Sequence, residues 1–203
     1  MESVPIPIHL RNLPPPDECF DHTSFITFLA QWIKPRVYLE LGVRYGPIIK
    51  NMLPLARRII GVDLKKDQAF NQLPVEFYEM STEQFFDQAP GLNLQVDLAL
   101  IDADHSHESS LRDFDRLFPY VIEDGIICLH DTYPINEYFT RADKCSDSWR
   151  TAHFIRQNYG ERCEILTLPF QPGLSIVRKS TRQLAWKDDS TFEKSEKIPG
   201  DRK

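Results

Sequence analysis

The stretch Val37-Tyr38-Leu39-Glu40-Leu41-Gly42-Val43-Arg44-Tyr45-Gly46-Pro47 decides how the rest of the chain is read. Five residues rich in apolar and β-favouring side chains run into a turn carrying two glycines, and Pro47 then suits the first turn of a helix. Glycine removes the side chain where a backbone must turn sharply or approach a ligand closely. A strand that ends in such a turn and hands over to a helix is the opening of a parallel βαβ unit.

Working outward, short apolar strands alternate with amphipathic helical segments. Strands are expected at Val37 to Leu41, Ile59 to Asp63, Val75 to Tyr78, Val96 to Ile101 and Gly125 to His130. Before the first, Phe25, Ile26, Phe28, Leu29, Trp32 and Ile33 recur at helical spacing, which predicts a helix over His22 to Lys34 stopped by Pro35. Ser109 to Val121 places Leu111, Phe114, Leu117, Phe118 and Val121 on one face and reads as a crossover helix. Residues 132–147 read as a loop over the carboxyl edge of the sheet, and Ser148 to Tyr159 as a helix. Cys163 to Leu168 and Leu174 to Val177 can pair as antiparallel closing strands. The fold class is therefore α/β, a doubly wound, mostly parallel sheet with helices on both faces and an antiparallel closing pair. Residues 1–21, with Pro14-Pro15-Pro16, are expected to form an arm or lid, residues 22–179 the domain, and residues 180–203 a flexible charged tail.

Composition narrows the function classes. A chain of 203 residues fits one domain, and a net charge of -6 argues against neutralising a phosphate backbone, so no nucleic-acid partner is expected. The four cysteines are scattered, without the close pairs of a zinc knuckle or redox site. No apolar run of membrane-spanning length occurs and the first ten residues lack the form of a secretory signal, so the expectation is a cytoplasmic protein without a membrane partner. A homo-oligomer stays open.

The second strand ends in Asp63, 21 residues after Gly42, close to the spacing at which a carboxylate meets ribose hydroxyls in dinucleotide folds. A pyrophosphate ligand would want GxGxxG, but Arg44 occupies the middle position, which weakens a nicotinamide reading. Two clusters follow at neighbouring strand ends, Asp102-Ala103-Asp104-His105-Ser106-His107 and His130-Asp131-Thr132. Together they bring oxygen and nitrogen donors to one crevice, as a divalent cation requires.

The glycine turn with its acidic residue resembles the first motif of class I S-adenosylmethionine-dependent methyltransferases. The stretch from Val96 to Asp131 resembles the natural-product, macrolide-sugar type of O-methyltransferase, often magnesium-dependent. The resemblance implies that Glu40 helps hold the methionine ammonium, that Gly42 and Gly46 lie along the methionine and ribose, that Asp63 binds the ribose, and that Ser81 sits beside the adenine. It further implies Asp102 and Asp131 as ligands of Mg2+ or another divalent cation, with Asp102 also bordering the donor. His130 stands where those relatives carry glutamate and is the third candidate metal ligand, and His105 takes the place of their general base. The expected activity is O-methylation of a small-molecule hydroxyl. The alternatives are an NAD(P)-dependent oxidoreductase and a non-catalytic cofactor-binding regulatory protein. Beside these roles stand plainer ones: Asp104 and Asp102 can cap the helix near Ser106, and His107 can be a helix-start residue.

Overall fold

The computed structural model describes residues 21–169 and 172–180; the expected arm and tail therefore lie outside the described residues apart from Asp21 and Ser180. Seven strands form one sheet in the order β3-β2-β1-β4-β5-β7-β6. They are β1 (Val37–Leu41), β2 (Arg58–Asp63), β3 (Glu76–Glu79), β4 (Val96–Ile101), β5 (Val121–His130), β6 (Cys163–Leu168) and β7 (Leu174–Lys179). The first five run parallel, and β7 pairs antiparallel with both β5 and β6. The chain reverses direction across the sheet between β1 and β4, the switch point at which open α/β sheets bind ligands beyond their carboxyl ends.

The period-two alternation of a strand divides each one between two apolar layers. Leu39, Leu41, Ile60, Val62, Ala99 and Ile101 pack on one face with Phe85, Phe114 and Leu117. These come from α3 (Thr82–Gln88) and α4 (His107–Leu117), and Ile155 joins them from α5 (Trp149–Asn158). Tyr38, Ile59, Leu98, Leu100 and Cys128 face the other way, with Ile26 and Ala30 of α1 (His22–Ile33) and Ile48 and Ile49 of α2 (Pro47–Asn51).

Several boundaries differ from the sequence reading for local reasons. Helix α4 stops at Leu117 because Pro119, in the turn Phe118–Tyr120, offers no N–H to continue it, so β5 starts at Val121. Lys34 adopts the left-handed conformation (φ 54°) and caps α1 one residue early. Helix α2 has only five residues, and a 3-10 turn at Gln68–Gln72 links β2 to β3, so this side of the sheet is thinly covered.

Phe114 is fully buried, with its ring centre 5.3 Å from those of both Phe118 and Tyr159. Phe114→Ala should cost about 3–5 kcal/mol of stability. Urea unfolding followed by circular dichroism measures this, and a loss under about 1 kcal/mol would contradict the packing described.

Candidate functional site

The turn after β1 is shaped by backbone contacts that only glycine permits. Gly42 has φ +87°, and a Cβ there would sit 2.2 Å from the Asp102 carbonyl oxygen and 2.5 Å from the Ala103 Cα. Gly42 N donates to the Val62 carbonyl at 2.9 Å and Asp102 N to the Leu41 carbonyl at 2.8 Å, so the ends of β1, β2 and β4 are bound together. Gly46, φ +61°, opens α2, and a Cβ there would meet the Phe70 ring at 2.3 Å.

These ends enclose a cavity of about 860 Å³ lined by Glu40, Gly42, Asp63, Asp102, His105 and His130, with Arg44, Tyr45, Lys50 and His22 at its borders. Such a volume lies within the usual range for small-ligand sites. A smaller cavity of about 170 Å³ shares Gly42, Asp63 and Ala103 with it, and is also lined by Met80, Ser81, Thr82 and Arg112. Asp63 accepts from Arg44 N at 2.8 Å and Lys65 N at 3.1 Å, which fixes its carboxylate at the mouth of the β1 turn. Ser81 is the N-cap of α3 in a reciprocal capping box with Gln84, so its hydroxyl both borders the smaller cavity and serves the helix.

Glu40 is 2% exposed, and the Tyr38 hydroxyl donates to its Oε2 at 2.7 Å. Burial pushes its carboxyl up to about 8; the Tyr38 hydrogen bond opposes the rise and the neighbouring Asp102 and Asp63 carboxylates reinforce it.

Asp102 and His105 of this cavity, together with the buried Asp131, bring ligand-capable atoms within 4.8 Å of one another. His130 Nδ1 lies 2.9 Å from Asp102 Oδ1 and 3.4 Å from Asp131 Oδ1, between the two carboxylates. Burial opposes charge on His130, but the Asp102 hydrogen bond and charge, followed by Asp131, outweigh it and push the imidazole up to about 10. His105 Nδ1 contacts Asp131 Oδ2 and lies 2.7 Å from the Lys144 carbonyl. Its basicity is raised, first by Asp131, against the effect of burial. Burial would raise Asp131, but His105 and then His130 hold it well below the usual carboxylate range.

Asp104 Oδ1 accepts from Ser106 N at 2.9 Å, and Ser106 caps α4, so Asp104 supports the turn. His107 begins α4; its N–H donates to Asp147 at 2.7 Å and its Nδ1 lies 2.9 Å from Thr151 Oγ1. The loop after β5 is fastened by Ser148 Oγ, which lies 2.7 Å from the Asp131 carbonyl and 2.9 Å from that of Cys145.

His22 is the participant that sequence reasoning missed. It opens α1, its ring centre lies 4.2 Å from that of His130, and its buried Nδ1 has no hydrogen-bond partner. Burial, then His130, lowers its basicity. No local pattern could reveal it, because it stands 108 residues from His130 and looks only like a helix start.

Residues 39–132 match the family model described as "Methyltransferase domain". This stretch is a methyltransferase domain. Its fold is that of the class I, S-adenosylmethionine-dependent methyltransferases, and none of the comparisons points to a nicotinamide-dependent oxidoreductase. Among solved structures, a candidate caffeoyl-CoA O-methyltransferase from Staphylococcus aureus aligns with a TM-score of 0.62 at 13% identity over 85% of this chain and 88% of that one. A methyltransferase from Podospora anserina bound to SAH aligns with a TM-score of 0.61 at 16% identity over 78% and 77%. MycE, a methyltransferase of the mycinamycin biosynthetic pathway in complex with Mg, SAH and mycinamycin VI, aligns with a TM-score of 0.54 at 16% identity over 71% of this chain and 44% of that one. At these identities the likeness is one of fold. No curated protein matches the sequence. Among the described residues no helix is long and apolar enough to cross a membrane.

Glu40 generates a pH-dependent prediction for this methyltransferase domain. Its folded pKa of about 8 lies above the ordinary 4.5, so its contribution to stability is full below pH 4.5 and is lost as pH rises towards 8. Glu40→Gln abolishes that loss. Urea midpoints at pH 5 and pH 8 should shift in favour of the variant, relative to the original chain, as pH rises; a constant gap would mean that Glu40 ionises in the ordinary range.

Proposed function

We propose that this protein transfers the methyl group of S-adenosylmethionine to a hydroxyl of a small molecule. The observation that carries the reading is that a single cavity at the β1/β4 switch point is lined both by Glu40, Gly42 and Asp63 and by Asp102, His105 and His130. A donor laid along the glycine turn would place its reactive sulfonium end towards the carboxylate and imidazole cluster. Asp63 is positioned to accept from both ribose hydroxyls, Glu40 to face the methionine ammonium, and Ser81 to border the adenine in the smaller cavity. The SAH-bound relatives support this assignment of the donor, and the Staphylococcus aureus neighbour supports oxygen as the acceptor atom.

In the reaction the acceptor O–H breaks, an O–CH3 bond forms and the S–CH3 bond breaks, leaving S-adenosylhomocysteine. His105 receives the hydroxyl proton. Its Nδ1 is held at Asp131 and the Lys144 carbonyl, so the proton goes to Nε2, and the fixed Nδ1 contacts orient the ring as a triad carboxylate orients its histidine. The cluster also fits a divalent cation. Asp131 is 4% exposed, and it, Asp102 and His105 bring ligand-capable atoms within 4.8 Å of one another. Asp102 and Asp131, with His130 between them, are the residues that would hold it; the Mg-bound MycE neighbour supports this. Such a cation supplies Lewis acidity that eases removal of the hydroxyl proton. The protein acts in the cytoplasm on a soluble acceptor.

Calorimetry tests the donor directly. S-adenosylhomocysteine should bind, NAD+ should not, and Asp63→Ala should weaken binding on the order of tenfold to a hundredfold, as loss of charge-assisted hydrogen bonds predicts. Binding of NAD+ alone would overturn the reading. With an acceptor in hand, His105→Ala should slow turnover by about 10²–10⁴ while leaving donor affinity intact; unchanged turnover would remove His105 as the base.

A further inference from the structure

We propose that the cluster at the end of β4 and β5 is a centre for a borderline, nitrogen-accepting divalent cation of the manganese-to-zinc series, with His130 Nδ1 as a ligand beside Asp102 and Asp131. The inference rests on the reading above, that a cation serves this site, and adds its chemical identity.

The argument begins with spacing. Ligands bonded to one ion at about 2.0–2.2 Å are separated by about 3.0 Å when at right angles and about 3.4 Å at a tetrahedral angle. His130 Nδ1 lies 2.9 Å from Asp102 Oδ1 and 3.4 Å from Asp131 Oδ1, so each carboxylate stands at the separation of a neighbouring ligand from the imidazole nitrogen. Their side chains are 11%, 27% and 6% exposed, so little rearrangement is open to the imidazole or to Asp131.

Donor chemistry then selects the ion. Magnesium takes oxygen ligands in a near-ideal octahedron, and nitrogen in the inner position disfavours it, whereas manganese, cobalt, nickel and zinc accept imidazole readily. His130 Nδ1 lies against both carboxylates, so a cation held by Asp102 and Asp131 has that nitrogen beside it. His105, whose Nδ1 contacts Asp131, makes the surroundings still richer in nitrogen.

A third observation concerns the far side of the ring. When Nδ1 of a histidine binds a metal, Nε2 carries the remaining proton and needs an acceptor. His130 Nε2 is buried without a partner, and His22, packed against that ring at 4.2 Å between centres, also has a buried, unpartnered Nδ1. The two stacked imidazoles thus supply a proton and a lone pair that neither uses elsewhere.

Oxygen-only sites also bind cobalt more tightly than magnesium, so the deciding quantity is how the preference changes when the imidazole is removed. Titration of the full chain with Mn2+, Co2+ and Mg2+, with S-adenosylhomocysteine binding measured on the same samples, provides it. The expected result is measurable Mn2+ and Co2+ binding, with a Co2+ over Mg2+ preference that falls at least about tenfold in His130→Glu, where a carboxylate replaces the imidazole. The Mn2+ complex of the original chain should show nitrogen hyperfine coupling in its electron paramagnetic resonance spectrum, a readout that needs no variant to fold. An unchanged preference in His130→Glu, or a preference that collapses only in His105→Gln, would overturn His130 as the ligand. Mg2+ bound as tightly as Mn2+, or no nitrogen coupling, would overturn the inference while leaving a cation at the site. No binding of any of the three ions would remove the cation altogether, while intact S-adenosylhomocysteine binding would leave methyl transfer standing.

Discussion

The close approach of Gly42 to the Asp102 carbonyl is the constraint on which the rest of the site depends. The Leu41 carbonyl accepts from Asp102 N, the Val62 carbonyl accepts from Gly42 N, and no side chain fits between them. Three strand ends are therefore drawn into one rim. The residues that leave this rim, Glu40 and Asp63 on one side and Asp102 and His105 on the other, are held within one cavity without being neighbours in sequence. Hydrogen-bonded strands define such positions more rigidly than loops could.

That convergence has an electrostatic consequence. Glu40, Asp63 and Asp102 are brought to one cavity, and three carboxylates so placed repel one another unless something positive stands by. The chain meets this in two ways. Glu40, the most deeply buried, is held towards its protonated form, and the Tyr38 hydroxyl that donates to its side chain favours ionisation without supplying charge. Asp102 and Asp131 are each met by an imidazole, that of His130 or His105, so each carboxylate at the reacting end faces a ring nitrogen and not another carboxylate alone. A donor that arrives with a positive ammonium and a positive sulfonium would supply what Glu40 lacks. The site is in this sense polarised for a cationic guest.

Much of this architecture was legible in the chain because local rules and global fold agree over residues 37–131. The strand at Val37 to Leu41, the glycines that follow it and Asp63 announced the parallel sheet and its switch point. The antiparallel closing pair was legible from two apolar runs around Pro172-Gly173. What escaped was set by punctuation or by distance. Pro119 ended α4 four residues before the apolar periodicity did, because a missing N–H outranks a hydrophobic face. The crossover between β2 and β3 shrank to a 3-10 turn that no periodicity marks. His22 reached the site only through the packing of α1 on the thinly covered face. The relation of His130 to both carboxylates depends on the register of β4 with β5, which pairs Ile101 with Leu129 and so sets Asp102 beside His130.

The residues matched by the family model, 39–132, contain Glu40, Gly42, Gly46, Asp63, Ser81, Asp102, His105, His130 and Asp131, all the groups assigned to donor, cation and base. The groups that border them from outside that stretch are of a different kind. His22 stacks on His130 from α1, the Lys144 carbonyl fixes His105, and Ser148 ties the Asp131 carbonyl to the loop after β5. None of these three has a counterpart in the strand-and-turn grammar of the sheet, and each touches the reacting end and not the donor end. A fold that keeps its donor machinery on rigid strand ends can vary such attachments without disturbing the strands. The contacts added to the cavity and its cluster from outside the matched stretch therefore come from α1 and the segment after β5, while the strand ends between them supply the rest.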